Sequence, residues 1–350
     1  RYTDVLSPAV PWWAYPVVAA VALGWVRFAS QTWVFLGSVA CILAVASMGL
    51  TVLVGWGNEV SLAQAALVGT AVYISGYASR PDGFDWAFLP AAALGLAVAV
   101  ALSALVALPT ARLSGMYVMV LTLGLQVTLE RTLFTNGKFS GGVESVYVTR
   151  PRFFGISLES DRAYYYLPLL VLVAVMVGLT LFRNSRHGRA MMMVGSDRRA
   201  AAAMGISPLR YKILAFLIAG ALAGVAGALT TPLYRSPPTA IAYISVQSLF
   251  YLAVPVTAGL GSLAGVVVVA FVFTMTPHAL ESIVRISPLL LGGAGLMLGT
   301  YIGPGGFSGV VLDRVRAKRE AAILSGPETP QRPAPAEAQT GYEGVGVAAR

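Results

Sequence analysis

Apolar runs of about twenty residues recur along this chain, separated by short loops, and they constrain its fold more than any other feature. A bilayer core about 30 Å thick needs roughly 20 mostly apolar residues per helical crossing. Such runs occupy residues 12–29, 33–56, 60–79, 87–108, 116–135, 164–182, 213–233, 244–262, 264–282 and 286–304, which predicts ten spans. The first carries Arg27, and the eighth is interrupted by Pro255 and Gly259. Hydrophobic residues make up 57% of the chain and charged ones 11%, against about a quarter charged in a soluble domain. The expected class is an all-α polytopic membrane protein of about ten transmembrane helices, with its transmembrane domain over 1–312. Residues 313–350 form a tail, basic at first and then rich in Pro, Ala, Glu and Gly. That later composition cannot bury enough apolar surface to offset ordering entropy, so it is expected to be disordered.

The net charge of +9 would suit nucleic acid, but the basic residues lie in loops between apolar runs, as membrane topology demands. Arg183 to Lys212 holds seven Lys and Arg against the single acid Asp197, and Arg314, Arg316, Lys318 and Arg319 follow the last run. Both regions are expected on the cytoplasmic side, the mixed-charge loop near 136–163 outside, and both termini inside. Asp4, the lack of a basic n-region and the lack of a small-residue cleavage site before the next span argue against a signal peptide; with Arg1 in place of methionine, native residues are expected to be missing. A lone Cys41 and two distant histidines, His187 and His278, offer no metal-ligand spacing, and no phosphate-cradling G-x-x-x-x-G-K-[ST] loop is present.

Two polar features stand out. From Ser196 to Met204 a capping residue, an early acid and an alanine run predict a short cytoplasmic helix, stopped by Gly205 and Pro208. A solvated basic loop has no use for a capped alanine helix, whereas a docking element for a partner protein would use one. The second feature is Asn58, Glu59, Ser61 and Gln64, a polar interruption between apolar runs. It reads either as a cytoplasmic turn or as a broken helix lining a path, since irregular backbone at membrane depth needs protein or a wet cavity beside it. Thr122, Gln126 and Glu130 recur every four residues on one helix face. Glu130 beside Arg131 fits an interfacial ion pair equally well. Gly220, Gly224 and Gly227 give the small-residue spacing that lets helices pack closely.

Several stretches, taken in order, resemble the M-type permease subunit of ABC importers for branched-chain amino acids. They are Gly49-Leu50 with Val60-Ser61-Leu62-Ala63-Gln64-Ala65, Leu113-Ser114-Gly115-Met116-Tyr117, Ser140-Gly141-Gly142, Gly188-Arg189-Ala190, Ala200-Ala201 with Ala203-Met204-Gly205-Ile206, Ala223 to Leu229, and Ile244 through Leu263. The similarity covers roughly residues 40 to 310. It departs at Ala202, where the family usually has Glu, and at Arg198 and Arg199, where acids are common.

The resemblance implies a non-catalytic transport subunit in a bacterial cytoplasmic (inner) membrane. It would pair with a related permease, take substrate from an extracytoplasmic binding protein, and bind two cytoplasmic ATPase subunits. It would bind no cofactor, ATP being used by the partners, and no nucleic acid. The substrate class implied is leucine, isoleucine and valine, or related small solutes such as urea and short amides. The ATPase-coupling loop, 183–212, would act through Gly188, Arg189, Asp197, Arg198, Arg199, Ala201, Ala203, Met204 and Gly205. The translocation path would involve Asn58, Ser61, Gln64, Thr122, Gln126 and Glu130. The alternative is an ion-coupled secondary transporter, which typically shows midplane acids and two similar halves; neither is evident here.

Overall fold

The computed structural model describes residues 29–80, 83–110, 115–136, 156–235, 243–280 and 288–302, with Gly24, Val26, Leu113, Arg150, Arg152, Phe153 and Gly306. The expected span at 12–29 therefore lies almost wholly outside the described residues, as does the tail at 313–350. The helices are α1 (Gln31–Leu50, continued by a π-helical turn, Thr51–Trp56), α2 (Gln64–Ala78), α3 (Phe88–Thr110), α4 (Met116–Thr132) and α5 (Asp161–Asn184). There follow α6 (Arg186–Ser196), α7 (Arg198–Ala203), α8 (Pro208–Tyr234), α9 (Ser245–Ala258), α10 (Leu263–Ala279) and α11 (Pro288–Ile302). Two-residue strands, β1 (Arg152–Phe153) and β2 (Ile156–Ser157), pair antiparallel with Arg152 opposite Ser157.

Among the described residues, four helices are long and apolar enough to cross a membrane: Gln31–Trp56, Phe88–Thr110, Asp161–Asn184 and Pro208–Tyr234. The other apolar helices run to only 14–17 residues. A 15-residue helix is about 22 Å long, short of the hydrocarbon thickness. Ten crossings are thus not established. In α2 the shortfall has a cause, because the apolar run from 60 starts to coil only at Gln64. In α9 the interruption falls where Gly259, at φ +103°, ends the helix.

α1 is apolar on every side and nearly all of it is buried, as expected of a helix enclosed by others. α8, α10, α5 and α9 surround it, while α8 also packs against α2 and α3. The α8 glycines make that last contact possible. A Cβ on Gly220 would sit 2.4 Å from Ser103 Cβ, one on Gly224 2.9 Å from Leu96 Cα, and one on Gly227 2.4 Å from the Val68 carbonyl. Outward faces stay apolar, as at Leu89 and Leu105 of α3, Leu170 and Leu181 of α5, and Val268 and Val272 of α10. Such faces suit lipid, where no water penalises them.

One end of α8 is tied down by buried Arg150. Its guanidinium donates to the carbonyls of Pro232 (3.2 Å), Leu233 (3.3 Å) and Glu159 (2.8 Å) and to the Asp161 carboxylate. It also lies 5.1 Å from the centre of the Tyr164 ring. Asp161 accepts a further bond from Gln31 Nε2 at 2.7 Å. Two of the last carbonyls of α8, which no helical N–H can reach, are satisfied by this one side chain.

Candidate functional site

The chain between α1 and α2 is irregular and held by specific hydrogen bonds. The π-helical turn ends in a Gly57 N–H donating to Val52 O and a Glu59 N–H donating to Leu53 O, both at 3.0 Å. Between them Asn58, exposed, takes φ +52°, a left-handed conformation that Asn tolerates better than most residues. Ser61 accepts the Ala63 N–H at 3.3 Å. α2 then begins at Gln64, whose Nε2 donates to Ala46 O at 2.7 Å.

A helix start leaves its first N–H groups without partners, and α4 and α9 supply them here. Leu62 N–H donates to Thr122 Oγ1 (3.0 Å), Ala65 N–H to Ser248 Oγ (3.1 Å) and Ala66 N–H to Gln126 Oε1 (2.7 Å). Gln126 also accepts from Ser248 Oγ (2.9 Å) and donates through Nε2 to Tyr243 O (2.7 Å). One turn further, Glu130 Oε2 accepts the backbone N–H and the hydroxyl of Ser245, the first residue of α9, at 3.1 and 2.8 Å. The face formed by Thr122, Gln126 and Glu130 therefore caps two other helices from the side. Glu130 thus bonds to Ser245 here, where the sequence left an ion pair with Arg131 open as one alternative.

On the other side of the break, Glu59 is 2% exposed and pairs with two cations. Lys212 of α8, 6% exposed, lies 2.9 Å away and also donates to Leu113 O at 2.7 Å. Arg198, the first residue of α7 and 41% exposed, is the second partner. α6 approaches the same place: a Cβ on Gly195 would be 2.3 Å from the Trp56 carbonyl. The Trp56 ring stacks on Phe182, with centroids 6.3 Å apart.

The loop 183–212 holds two helices where one was expected. Ser185 caps α6 by accepting the Gly188 N–H, and Gly188 itself fits only without a side chain, since a Cβ would lie 2.1 Å from Phe182 O. Ser196 ends α6. Asp197, the residue expected in the first turn, is the cap of α7, accepting from Arg199 N–H (2.8 Å) and Ala200 N–H (3.1 Å). The Ala200 and Arg199 amides hold its carboxyl below the ordinary value. Gly205 stops α7 at φ +77°, with its N–H on Ala202 O and Ile206 N–H on Ala201 O, both 3.0 Å, the paired pattern of a left-handed helix stop. Ala201 is fully buried against the rest of the chain, and Ala200, Ala202, Ala203 and Met204 form the outward face with Arg199. Ala201 thus packs inward and is not available to a partner. Arg189 is exposed, its Nη1 donating to Asn184 O at 2.5 Å.

The structure brings Ser61, Gln64, Thr122 and Gln126 together, places Glu130 one turn away, and leaves Asn58 at the surface. Sequence reasoning passed over Glu59 as an anchor, counted Lys212 only as a topological charge, and missed Ser245 and Ser248. Among the described residues, no cluster of three or more His, Cys, Asp or Glu could hold a metal ion.

Residues 33–303 match the family described as branched-chain amino acid transport system / permease component. The chain belongs to that family. This permease is 26% identical over 300 residues to the high-affinity branched-chain amino acid transport system permease protein LivM of Salmonella typhimurium, and equally so to LivM of Escherichia coli K12. Each alignment covers 78% of this chain and 69% of the relative. No solved structure matches. Membership and the apolar helices make the chain an integral membrane transport component. Every element of the candidate site lies within the matched residues.

Proposed function

We propose that this permease is one half of the translocation pathway of an ATP-driven importer in a bacterial cytoplasmic membrane, for leucine, isoleucine, valine or a related small solute. It pairs with a second, related permease and receives substrate from an extracytoplasmic binding protein. Two cytoplasmic ATPase subunits hydrolyse ATP, and their closure switches the permeases between outward-open and inward-open states. No cofactor is required of this chain. Loop 183–212 and both termini face the cytoplasm, with 313–350 as a cytoplasmic tail. Ser61, Gln64, Thr122 and Gln126 border the path where α1 and α2 separate, with Asn58 and Glu130 at its margins.

The observation that carries this reading is α7. It is capped at Asp197, stopped at Gly205, and presents the small side chains of Ala200, Ala202 and Ala203 outward between two membrane-crossing helices, α5 and α8. A short helix fixed at both ends loses little freedom on docking, which favours affinity. Replacing Ala200→Trp and Ala203→Trp together leaves the fold of the permease unchanged, because both positions are exposed, but blocks close approach of an ATPase. The expected result is normal membrane insertion with loss of ATPase co-purification and of uptake that survives a collapsed proton gradient. A fully assembled, active transporter carrying both changes would refute the docking role.

A further inference from the structure

α7 and the break between α1 and α2 meet at Glu59. The carboxylate is buried, and its partners differ in kind. Lys212 is buried on α8 and fixed by Leu113 O. Arg198 is 41% exposed and heads α7, so its position follows that helix. Glu59 itself is rigidly placed, its N–H bonded to Leu53 O in the π-helical turn. Three residues later Leu62 N–H is held by Thr122, followed by Ala66 on Gln126. A displacement of α7 therefore acts on a short segment anchored at both ends, with the Gly195 contact on Trp56 O as a second point of application.

Resting on the importer reading above, we propose that Glu59 is the positioning residue that transmits movement of α7 to the α1–α2 break, with Arg198 as the moving partner and Lys212 as the fixed one. Removing every partner from a buried carboxylate is strongly unfavourable. Because Lys212 stays, Arg198 can engage or leave without stranding the charge. This supplies the two discrete arrangements that energetic coupling between distant sites requires. No arrangement with only one cation would do both jobs: Lys212 alone would leave α7 unconnected, and Arg198 alone would strand Glu59 whenever α7 moved.

The test uses the whole transporter, with companion permease, ATPases and binding protein, reconstituted in liposomes and supplied with radiolabelled leucine. Leucine taken up per ATP hydrolysed is measured for the wild type, Arg198→Gln, Glu59→Gln and the double variant. Arg198→Gln keeps the buried Glu59–Lys212 pair and so keeps the fold. It is expected to hydrolyse ATP with uptake per ATP lowered about tenfold. Glu59→Gln removes the same Arg198 pair and also leaves buried Lys212 without its counter-charge, so its ratio is expected to fall at least as far, and the double variant to lose no more than Glu59→Gln alone, because the Arg198–Glu59 interaction is already gone. Arg198→Lys, which retains the charge, should recover part of the ratio. An unchanged ratio in Arg198→Gln overturns the proposal, as do losses that multiply in the double variant. If Glu59→Gln fails to assemble, Arg198→Gln against Arg198→Lys decides alone. A wild-type permease that binds no ATPase would overturn the importer reading itself, a result distinct from an unchanged ratio.

Discussion

Replacing Gln126→Leu is the sharpest probe of how the start of α2 is held. The two side chains are close in volume, so no cavity of consequence opens, and the loss is almost wholly one of hydrogen bonds. Gln126 is fully buried and serves three groups: Ala66 N–H, Ser248 Oγ and Tyr243 O. Ser248 keeps its bond from Ala65 N–H, which leaves Ala66 N–H and Tyr243 O without partners. Each stranded buried group costs about 1–3 kcal/mol, so the substitution should destabilise the permease by about 2–6 kcal/mol. With an unfolding entropy of about 2 cal/mol/K per residue, that corresponds to a fall in Tm of about 3–9 °C for a chain of this length. The lone Cys41 is fully buried and so serves as its own reporter: a fluorogenic maleimide reacts only as the helices separate. A Gln126→Leu midpoint within about 1 °C of wild type would refute the claim that side chains of α4 hold the start of α2.

Two further outcomes are expected. Asp197→Ala should speed hydrogen exchange at the Arg199 and Ala200 amides while Asp197→Asn should not; because the carboxyl is held low, the native cap persists above the ordinary carboxylate range and fails as pH drops through the lowered value, a dependence that Asn abolishes. Gly227→Ile, whose Cβ would lie 2.4 Å from Val68 O and 2.6 Å from Ala71 Cβ, should destabilise by about 1–3 kcal/mol or more through overpacking and lower the Cys41 labelling midpoint, while Gly124→Ala, with nothing within 4 Å, leaves it unchanged.

Local periodicity and local punctuation were readable from the sequence. The four-residue spacing of Thr122, Gln126 and Glu130 does place them on one face, and Gly205 does end a helix. What that face touches was not readable, because Ala66 and Tyr243 lie 60 and 117 residues from Gln126. The start of the loop helix was misplaced for a chemical reason. Ser196 and Asp197 are both good caps, and α6, already capped by Ser185, runs through Ser196, whose hydroxyl donates back to Met192 O at 2.9 Å. Asp197 then takes the cap of α7. Lys212 illustrates a different limit. A lysine just inside a helix that follows a basic loop looks like one more topological charge, and only the fold turns it inward toward Glu59. The apolar run at 60–79 likewise hid the late start of α2, since hydropathy cannot register where a backbone stops coiling.

α8 is pinned near both ends by single cations, Lys212 holding Glu59 and Leu113 O at one, and Arg150 holding Pro232 and Leu233 carbonyls at the other. From residue 212 to residue 232 a helix rises about 30 Å, the thickness of a typical hydrocarbon core. A lone crossing helix meets a thicker or thinner bilayer by tilting. This one is denied that freedom, because tilting would strain fastenings to the segments before α4 and α5. The strut works as a gauge: lipids must stretch or compress to its length, and membranes of the wrong thickness load the very contacts that join Glu59 to α7.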